Sequence, residues 1–403
     1  MDILIKNLNN FPITEKNVLL RVDLNVPLSD GKIIDKTRIY AIKSTVKDLI
    51  LKKNKIFLLT HLGRPKGKIK KKYSVKFLKE VLAKILLVKK VFFVPSCYGE
   101  LVRKQKMLMK PGDICLLENV RFYEEEENND SNFSKCLAKD FDIYINDAFS
   151  SSHRNHSSIV GITKYIPSLA GNNFIKEVEN LNMLLSKPSK PSTAIIGGSK
   201  ISSKLKILNN LIIIFDTLII GGAMANTFLF AKGFDVGKSI IEKDLVFDAE
   251  KIMKNSINLD TNIILPVDLV CSNNFNDINN IEVVSVKNIS PNQMALDIGN
   301  KTIEIIKSSI LKSKSILWNG PLGVFERKPF DNGTNKIAEI INSNARNFKI
   351  TAIAGGGDTI AAIKKAKAEK SFTYISTAGG AFLEWLEGKE SPGLKALKEN
   401  ILS

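Results

Sequence analysis

The feature that most constrains the fold of this chain is a repeated alternation of short apolar runs and amphipathic segments. The runs Val18–Asp23, Ile56–Thr60 and Phe141–Ile145 are typical of buried strands. Between them, Thr37–Lys53 carries apolar residues at helical spacing. This rhythm predicts the α/β class, with doubly wound parallel sheets that are covered by helices on both faces.

The rhythm is interrupted once, at a segment rich in proline and serine, Ser186–Pro191, and it then starts again. We therefore predict two Rossmann-like domains, residues 1–169 and 189–388, joined by a connecting helix and hinge over residues 170–188. The remaining tail, residues 389–403, is too short to form a domain of its own.

The bulk composition is that of an ordinary globular protein, with 44% hydrophobic and 25% charged residues. The four cysteines are scattered without a C-x-x-C pair, which predicts reduced structural thiols. The three histidines lack metal-ligand spacing, so no zinc site is predicted. No apolar run is long enough to span a membrane, and the start does not resemble a signal peptide, so we expect a cytoplasmic protein.

The formal net charge is +18, so nucleic-acid binding is an alternative function that must be weighed. The densest lysine cluster, Lys66–Lys72, has no interleaved aromatic residues, and a solvated loop is the favoured interpretation. The acidic run Glu124–Glu127 is expected to be solvated as well. We expect no specific nucleic-acid partner; a nucleic-acid-binding protein would instead lose its ligand steeply as salt is raised.

Polar and basic residues follow the predicted strands of the first half. In open parallel sheets, ligands bind at the carboxyl ends of the strands, so these side chains should converge. Arginines together with a histidine suit a multiply charged phosphate or carboxylate. The predicted anion site comprises Asp23, Asn25, Arg38, His61, Leu62, Gly63, Arg64, Arg121 and Arg154.

Glycine pairs or triplets follow the predicted strands of the second half. Helix packing alone explains one or two of them, whereas so many favour a backbone-lined cradle for a nucleotide. Lys200 and Lys204 are expected one turn apart on a helix start, where both would reach a phosphate chain. The glycines lie at Gly197–Gly198, Gly221–Gly222, Gly320 with Gly323, Gly355–Gly357 and Gly379–Gly380.

The segment Gly355–Thr359 places Asp358 and Thr359 where a helix N-cap and first turn belong. A carboxylate at this position would repel a phosphate directly, so we expect Asp358 to hold a Mg²⁺ ion that bridges to one. The alternative is a tight turn with Asp358 as a plain cap. An anion site in one half and a nucleotide site in the other suggest phosphoryl transfer, and a Walker-type loop is absent.

Six segments along the chain resemble the signature motifs of the phosphoglycerate kinase family, in family order and over essentially the full length. Ser150–Ser152 and Ser199 depart from the commoner family residues, but neither departure removes a charged group. A different small-molecule kinase would not need strand-end arginines at this spacing. The motifs are Arg21–Pro27, His61–Pro65, Glu118–Phe122, Asn146–Phe149 with His153–Arg154, Trp318–Pro321 and Gly355–Thr359.

The resemblance implies reversible transfer of the acyl phosphate of 1,3-bisphosphoglycerate to ADP by a monomer whose tail packs back on the first domain. The residues of the predicted anion site would bind the phosphoglycerate. Arg38, Lys200, Gly379 and Gly380 would stabilise the transferring phosphoryl group. ATP or ADP and Mg²⁺ would be held by Gly198, Gly221, Gly222, Lys204, Glu326, Gly356, Gly357, Asp358 and Thr359, with Asp358 on the metal.

Overall fold

The computed structural model describes residues 5–278, 280–347 and 350–400, and these form two compact units. The first unit contains the described residues up to Glu179 and those from Glu390 onward, and the second is Asn180–Lys389. Each unit is built around a six-stranded sheet in which all neighbouring strands are parallel. The predicted α/β class with two parallel-sheet units is confirmed.

The sheet of the first unit has the strand order β5-β6-β4-β1-β7-β8. A two-stranded hairpin, β2 and β3, follows β1. The strands of this unit are β1 (Asn17–Arg21), β2 (Leu28–Ser29), β3 (Lys32–Ile33), β4 (Lys55–Leu59), β5 (Val91–Val94), β6 (Ile114–Leu117), β7 (Ile143–Asn146) and β8 (Ser168–Ala170).

Helices cover both faces of this sheet, because alternate strand residues point to opposite sides. In β1, Val18 and Leu20 belong to one buried cluster and Leu19 to the other. The tail helix α15 also belongs to this unit, where the Gly393 N–H donates to Ser152 O at 2.8 Å. The helices are α1 (Thr37–Ala41), α2 (Lys43–Leu51), α3 (Leu78–Leu86), α4 (Glu100–Leu108), α5 (Glu124–Glu127), α6 (Ser131–Ala138), α7 (Asn172–Ser186), which continues into the second unit, and α15 (Pro392–Lys398).

The second unit has a parallel sheet of order β11-β10-β9-β15-β16-β17 and a three-stranded antiparallel sheet of order β13-β12-β14. Its strands are β9 (Ser192–Ile196), β10 (Thr217–Ile220), β11 (Asn262–Ile264), β12 (Asp268–Ser272), β13 (Ile281–Ser285), β14 (Met294–Ile298), β15 (Ser315–Asn319), β16 (Thr351–Gly355) and β17 (Tyr374–Ser376). Its helices are α8 (Leu205–Ile214), α9 (Met224–Ala231), α10 (Val246–Asn258), α11 (Asn300–Lys312), α12 (Asn332–Asn347), α13 (Gly357–Lys365) and α14 (Gly380–Leu386).

Local details differ from the sequence predictions. The helical stretch Thr37–Lys53 is two helices, α1 and α2, with Ile42 between them. The acidic run Glu124–Glu127 forms the short helix α5, and the prediction that it is solvated is wrong for Glu126, which is fully buried. Glu126 enters the interior because Ser158 supplies hydrogen-bond donors to both of its carboxylate oxygens.

Candidate active-site residues

The polar residues of the first unit lie together because their strands are neighbours. Asp23 and Asn25 follow β1, His61 and Arg64 follow β4, and Arg121 follows β6. The sheet order places β6, β4 and β1 side by side, with β7 beyond β1. The carboxyl ends of these parallel strands share one edge, so the predicted convergence has a direct cause in the topology.

Asp23 orients Arg38, which reaches the strand ends from α1. The Arg38 Nη1 donates to Asp23 Oδ2 at 2.6 Å and to the Asn25 carbonyl oxygen at 3.2 Å. The Ser150 hydroxyl donates to the same Asp23 oxygen. Asn25 Oδ1 in turn accepts the Gly63 N–H at 2.9 Å, so the loops after β1 and β4 are joined. The Arg38 side chain remains 29% exposed and can reach a ligand.

Arg121 is buried with part of its guanidinium unused. Its Nη1 donates to the Gly63 carbonyl oxygen at 2.8 Å, and its Nε lies 3.4 Å from Glu127 Oε1. Neither Nε nor Nη2 makes a hydrogen bond within the described part of the chain. Asn119 fixes the loop that follows β4, because its Nδ2 donates to the Leu62 carbonyl oxygen at 2.8 Å. Buried donors without partners are costly unless a ligand accepts from them.

Burial and mutual repulsion shift the pKa values of this cluster. Burial lowers the pKa of His61 well below its usual value, and Arg21, Arg121, Arg154 and Arg38 lower it further, so the ring is neutral at pH 7. Burial likewise lowers the pKa of Arg121 to about 10, with Arg154 and Arg21 adding to the effect. The charges of several arginines therefore act at one place, and a bound anion would relieve their repulsion.

Arg64 and Arg154 complete the cluster. Arg64 is exposed and Arg154 is half-buried. Burial lowers the pKa of Arg154, and Arg64 is the next largest cause, so the two guanidinium groups lie near each other. All the predicted anion-site residues thus lie in the first unit, at or beside the carboxyl edge of its sheet.

Sequence reasoning missed two contributors to this cluster. Arg21 was not chosen as a site residue although it begins a motif; it is 1% exposed and its Nη2 lies 3.1 Å from His61 Nδ1. An arginine at the end of an otherwise apolar strand was the available signal. Ser150, which contacts Asp23, carried no signal that sequence alone could interpret, because the two residues are far apart in the chain.

In the second unit, the glycine-rich segments after β9, β10 and β15 pack backbone against backbone. The Gly222 N–H donates to the Leu322 carbonyl oxygen at 3.0 Å, and the Met224 N–H donates to the Gly198 carbonyl oxygen at 3.0 Å. A Cβ atom at Gly222 would lie 2.6 Å from the Gly198 oxygen, and a Cβ atom at Gly221 would lie 2.3 Å from the Leu322 side chain. Side chains are excluded here, and the backbone itself forms the surface.

The segment at the start of α13 is joined to the end of β15. Gly356 is the N-cap residue with φ +99°, so the prediction that Asp358 is the N-cap is wrong. A cap with positive φ favours glycine, and Asp358 moves into the first helical turn, where it is exposed. Thr359 is buried and its Oγ1 accepts the Gly320 N–H at 2.7 Å. Asn319 Nδ2 donates to the Gly355 carbonyl oxygen at 2.6 Å.

Lys204 lies beside this segment, with its Nζ donating to Asn319 Oδ1. Burial lowers its pKa to about 8, while the carboxylates of Asp358 and Glu387 act in the opposite direction. The prediction that Lys200 and Lys204 share a helix start is wrong. Helix α8 begins at Leu205 with Lys204 as its N-cap residue, and Lys200 is exposed in the irregular segment that precedes the helix.

The other residues assigned to the second unit are more dispersed. Gly379 is the N-cap residue of α14 and Gly380 is its first residue, and both are exposed. Gly198 has φ +131° with open space where a side chain would be. Glu326 is exposed between β15 and α12, and no hydrogen bond or ion pair within the described residues joins it to Lys204 or Asp358.

Among the described residues, no group of three or more histidine, cysteine or acidic side chains could hold a metal ion. An all-protein metal cage is therefore not present in this part of the chain. A single exposed carboxylate such as Asp358 fits a different arrangement, in which Mg²⁺ arrives on nucleotide phosphates and keeps several water ligands. None of the described helices is long and apolar enough to cross a membrane.

Known proteins share both the sequence and the fold. The family model described as phosphoglycerate kinase matches residues 8–389. The chain belongs to the phosphoglycerate kinase family. It is 44% identical to the phosphoglycerate kinase of Bartonella tribocorum over 394 residues, which cover 98% of this chain and 99% of that protein.

Solved phosphoglycerate kinases have the same fold as this chain. The structure from Coxiella burnetii matches with a TM-score of 0.90 at 36% identity and covers 98% of each chain. The structure from Pyrococcus horikoshii matches with a TM-score of 0.81 at 32% identity and covers 97% of this chain and 98% of its own. The reaction of the family is reversible transfer of the acyl phosphate of 1,3-bisphosphoglycerate to ADP, which gives ATP and 3-phosphoglycerate in glycolysis.

Proposed function

We propose that this chain carries out the phosphoglycerate kinase reaction with the anion cluster of the first unit as its phosphoglycerate site. The observation that carries the assignment is the buried guanidinium of Arg121, whose Nη2 has no hydrogen-bond acceptor among the described residues and whose Nε makes only a 3.4 Å ion-pair contact with Glu127. Arg38, Arg64 and Arg154 add further donors around neutral His61. One guanidinium group can bind two oxygens of a carboxylate or of a phosphate, and phosphoglycerate carries both a carboxylate and a phosphate.

The nucleotide site is assigned to the second unit. Gly198, Gly221 and Gly222 would line the adenine pocket with bare backbone. Lys204 and the segment Gly356–Thr359 would hold the phosphates, with N–H groups of the first turn of α13 directed at them. Asp358 would hold Mg²⁺, and the ion would neutralise phosphate charge when bound. Glu326 is kept as a nucleotide-site residue on the family resemblance alone.

The chemistry needs no general base, because the attacking or leaving group is a carboxylate that is already ionised. Charge develops on the transferring phosphoryl group, so the residues that matter are donors that meet it in line. We assign this role to Arg38, Lys200 and the N–H groups of Gly379 and Gly380. We also propose that the protein acts as a monomer in the cytoplasm, in keeping with a glycolytic reaction.

The deciding experiment is a coupled assay with 3-phosphoglycerate and Mg-ATP on the wild type and on Arg64→Ala. Loss of a charge-assisted contact should lower kcat/KM by about tenfold to a hundredfold. Arg103→Ala is the matched control, because Arg103 is also exposed and pairs with Asp140 at 3.5 Å away from the cluster. A folded wild type without turnover would refute the assignment of this activity, and equal activity of both variants would refute the arginine site.

A further inference from the structure

A buried chain of polar contacts runs from helix α5 to His61. It consists of Glu126, Ser158 and Arg21, each of which is 1% exposed or less. A buried carboxylate and a buried guanidinium are both costly unless hydrogen bonds satisfy them. Their joint presence behind the anion cluster therefore calls for a reason beyond packing.

Each contact in this chain has a defined direction. The Ser158 hydroxyl donates to Glu126 Oε1 at 2.6 Å, and the Ser158 N–H donates to Oε2 at 2.8 Å. The only hydroxyl proton of Ser158 is thereby used, so its oxygen accepts from Arg21 Nε at 3.0 Å. The Tyr144 hydroxyl, which donates to the Ser158 carbonyl oxygen at 2.6 Å, holds the serine backbone in place.

Charge is balanced within this chain. Burial by itself raises the pKa of Glu126, but the His156 ring, whose Nδ1 lies 3.7 Å from Glu126 Oε1, the charge of Arg21 and the hydrogen bonds from Ser158 outweigh it, so the pKa lies below its usual value. Glu126 is therefore ionised at neutral pH and compensates the positive charge of Arg21. The Arg21 Nη1 also donates to the Val22 carbonyl oxygen at 2.5 Å, which leaves little freedom for the guanidinium to turn.

The last contact determines the proton position on His61. Arg21 Nη2 lies 3.1 Å from His61 Nδ1. A guanidinium can only donate, so Nδ1 must be the unprotonated acceptor and the ring proton must lie on Nε2. The same contact disfavours the doubly protonated ring, because an imidazolium Nδ1–H would face an arginine N–H.

We propose that Glu126 and Ser158 act through Arg21 as positioning residues that hold His61 in its Nε2–H tautomer, ready to donate to the phosphoglycerate anion. This role rests on the proposed function of the anion cluster. In the other tautomer, Nε2 would offer a lone pair to an anion and repel it. The contacts thus convert a neutral ring, which could adopt either tautomer, into a fixed donor.

The test combines histidine NMR with kinetics on the full chain. The sequence has only three histidines, His61, His153 and His156, so ¹⁵N-histidine labelling gives a simple spectrum. Protonated and unprotonated ring nitrogens have distinct ¹⁵N shifts. We expect wild-type His61 to be protonated on Nε2 alone, and Ser158→Ala and Glu126→Gln to show a mixture of tautomers.

Kinetics give the second readout. In both variants KM for 3-phosphoglycerate should rise by about threefold to tenfold, the effect of one hydrogen bond, while KM for ATP stays within about twofold. Ser134→Ala is the matched control, because Ser134 is equally buried but donates to the Asp130 carbonyl oxygen outside this chain of contacts. Should Ser158→Ala not fold, the nearly isosteric Ser158→Cys replaces it.

Two outcomes would overturn this role for Glu126 and Ser158. One is a wild-type His61 protonated on Nδ1, and the other is an unchanged tautomer and KM in the folded variants of an active enzyme. An inactive wild type with the expected tautomer would instead count against the proposed function. The failure of one proposal can therefore be told from the failure of the other.

Discussion

Lys204 shows how burial can tune one residue for ligand binding. It is half-buried beside Asn319, and burial lowers its pKa to about 8, although Asp358 and Glu387 oppose the shift. Burial therefore disfavours the charged ammonium form of Lys204 at pH 7, and this unfavourable free energy disappears once the proton is released. A phosphate placed next to Lys204 would favour the charged form and raise the pKa again.

At the residue scale we predict that nucleotide affinity depends on the charge of Lys204. As pH rises from 8 to 9, the free protein loses the Lys204 proton, so Kd for ADP should rise by up to about tenfold. Isothermal titration calorimetry at a series of pH values measures this. Lys204→Met should bind weakly with a flat pH profile, and the exposed Lys206→Met should behave like the wild type. A flat wild-type profile would contradict the prediction.

At the element scale, the start of α7 is capped from elsewhere in the unit. The Asn172 N–H donates to Thr45 Oγ1 at 3.0 Å, and the N–H groups of Asn173 and Phe174 donate to Asp147 Oδ1 at 2.8 and 3.0 Å. Asp147 therefore does the work of an N-cap residue from the end of β7. The strand that leads into the anion cluster is tied in this way to the helix that continues into the second unit.

We predict that Asp147→Ala lowers the unfolding free energy by about 2 kcal/mol, because it leaves the buried Phe174 N–H and the half-buried Asn173 N–H without an acceptor. This corresponds to a fall in Tm of about 4–8 °C, which scanning calorimetry measures. Asp147→Asn keeps the accepting oxygen and should recover most of the loss. Asp142→Ala, at an exposed carboxylate that accepts from the Asn17 N–H, should cost less. Equal losses at both positions would argue against the capping role.

The glycine segments of the second unit allow a sharper test of close backbone packing. Gly222 has φ +69° and its Cβ position is 2.6 Å from the Gly198 oxygen, whereas Gly233 has φ +83° with nothing within 4 Å. Alanine at either position meets similar backbone strain, but only Gly222→Ala also meets a clash. The difference between the two variants therefore isolates the steric part.

We expect Gly222→Ala to lose about 1–3 kcal/mol more stability than Gly233→Ala in urea unfolding. KM for ATP should rise in Gly222→Ala and stay near the wild-type value in Gly233→Ala, because only Gly222 belongs to the proposed adenine pocket. If the two variants are equally stable and equally active, the segments are not packed as described.

At the scale of the whole molecule, the two proposed sites belong to different units. The arginine cluster lies in the first unit and the glycine-lined segments lie in the second. Direct phosphoryl transfer requires donor and acceptor to be in line and shielded from water. We therefore propose that the chain closes around both ligands, about the hinge that the sequence predicts over residues 170–188.

We predict that the radius of gyration, measured by small-angle X-ray scattering, falls when 3-phosphoglycerate and a nucleotide are bound together. Either ligand alone should lower the radius of gyration less, because phosphoryl transfer requires the donor and the acceptor to be bound together. The Arg64→Ala protein, given the same ligands, is the control and should stay near the unliganded value. The same radius of gyration in wild type with and without both ligands would count against closure.

The sequence by itself determined most strands of the two parallel sheets and the positions of Asp23, His61 and Arg121 at strand ends. It did not predict the hairpin β2–β3, strand β8 or the three-stranded antiparallel sheet. Alternation of side chains along a strand depends only on neighbouring residues, so Leu19 and Leu20 could be assigned to opposite faces without the structure. The order of β-α-β units then brought Asp23, His61 and Arg121 to one edge of the sheet. The motifs are contiguous stretches of sequence, so they were sufficient to identify the family.

Only the tertiary structure decided which charges are buried and what they contact. Glu126 looked like part of a solvated acidic run, and Arg21 like the end of a strand, yet both pair with Ser158 in the interior. Arg21 and Ser158 are 137 residues apart in the chain. The cost of burying a charge depends on partners that packing brings from afar, whereas the periodicity of a segment is set by its own residues.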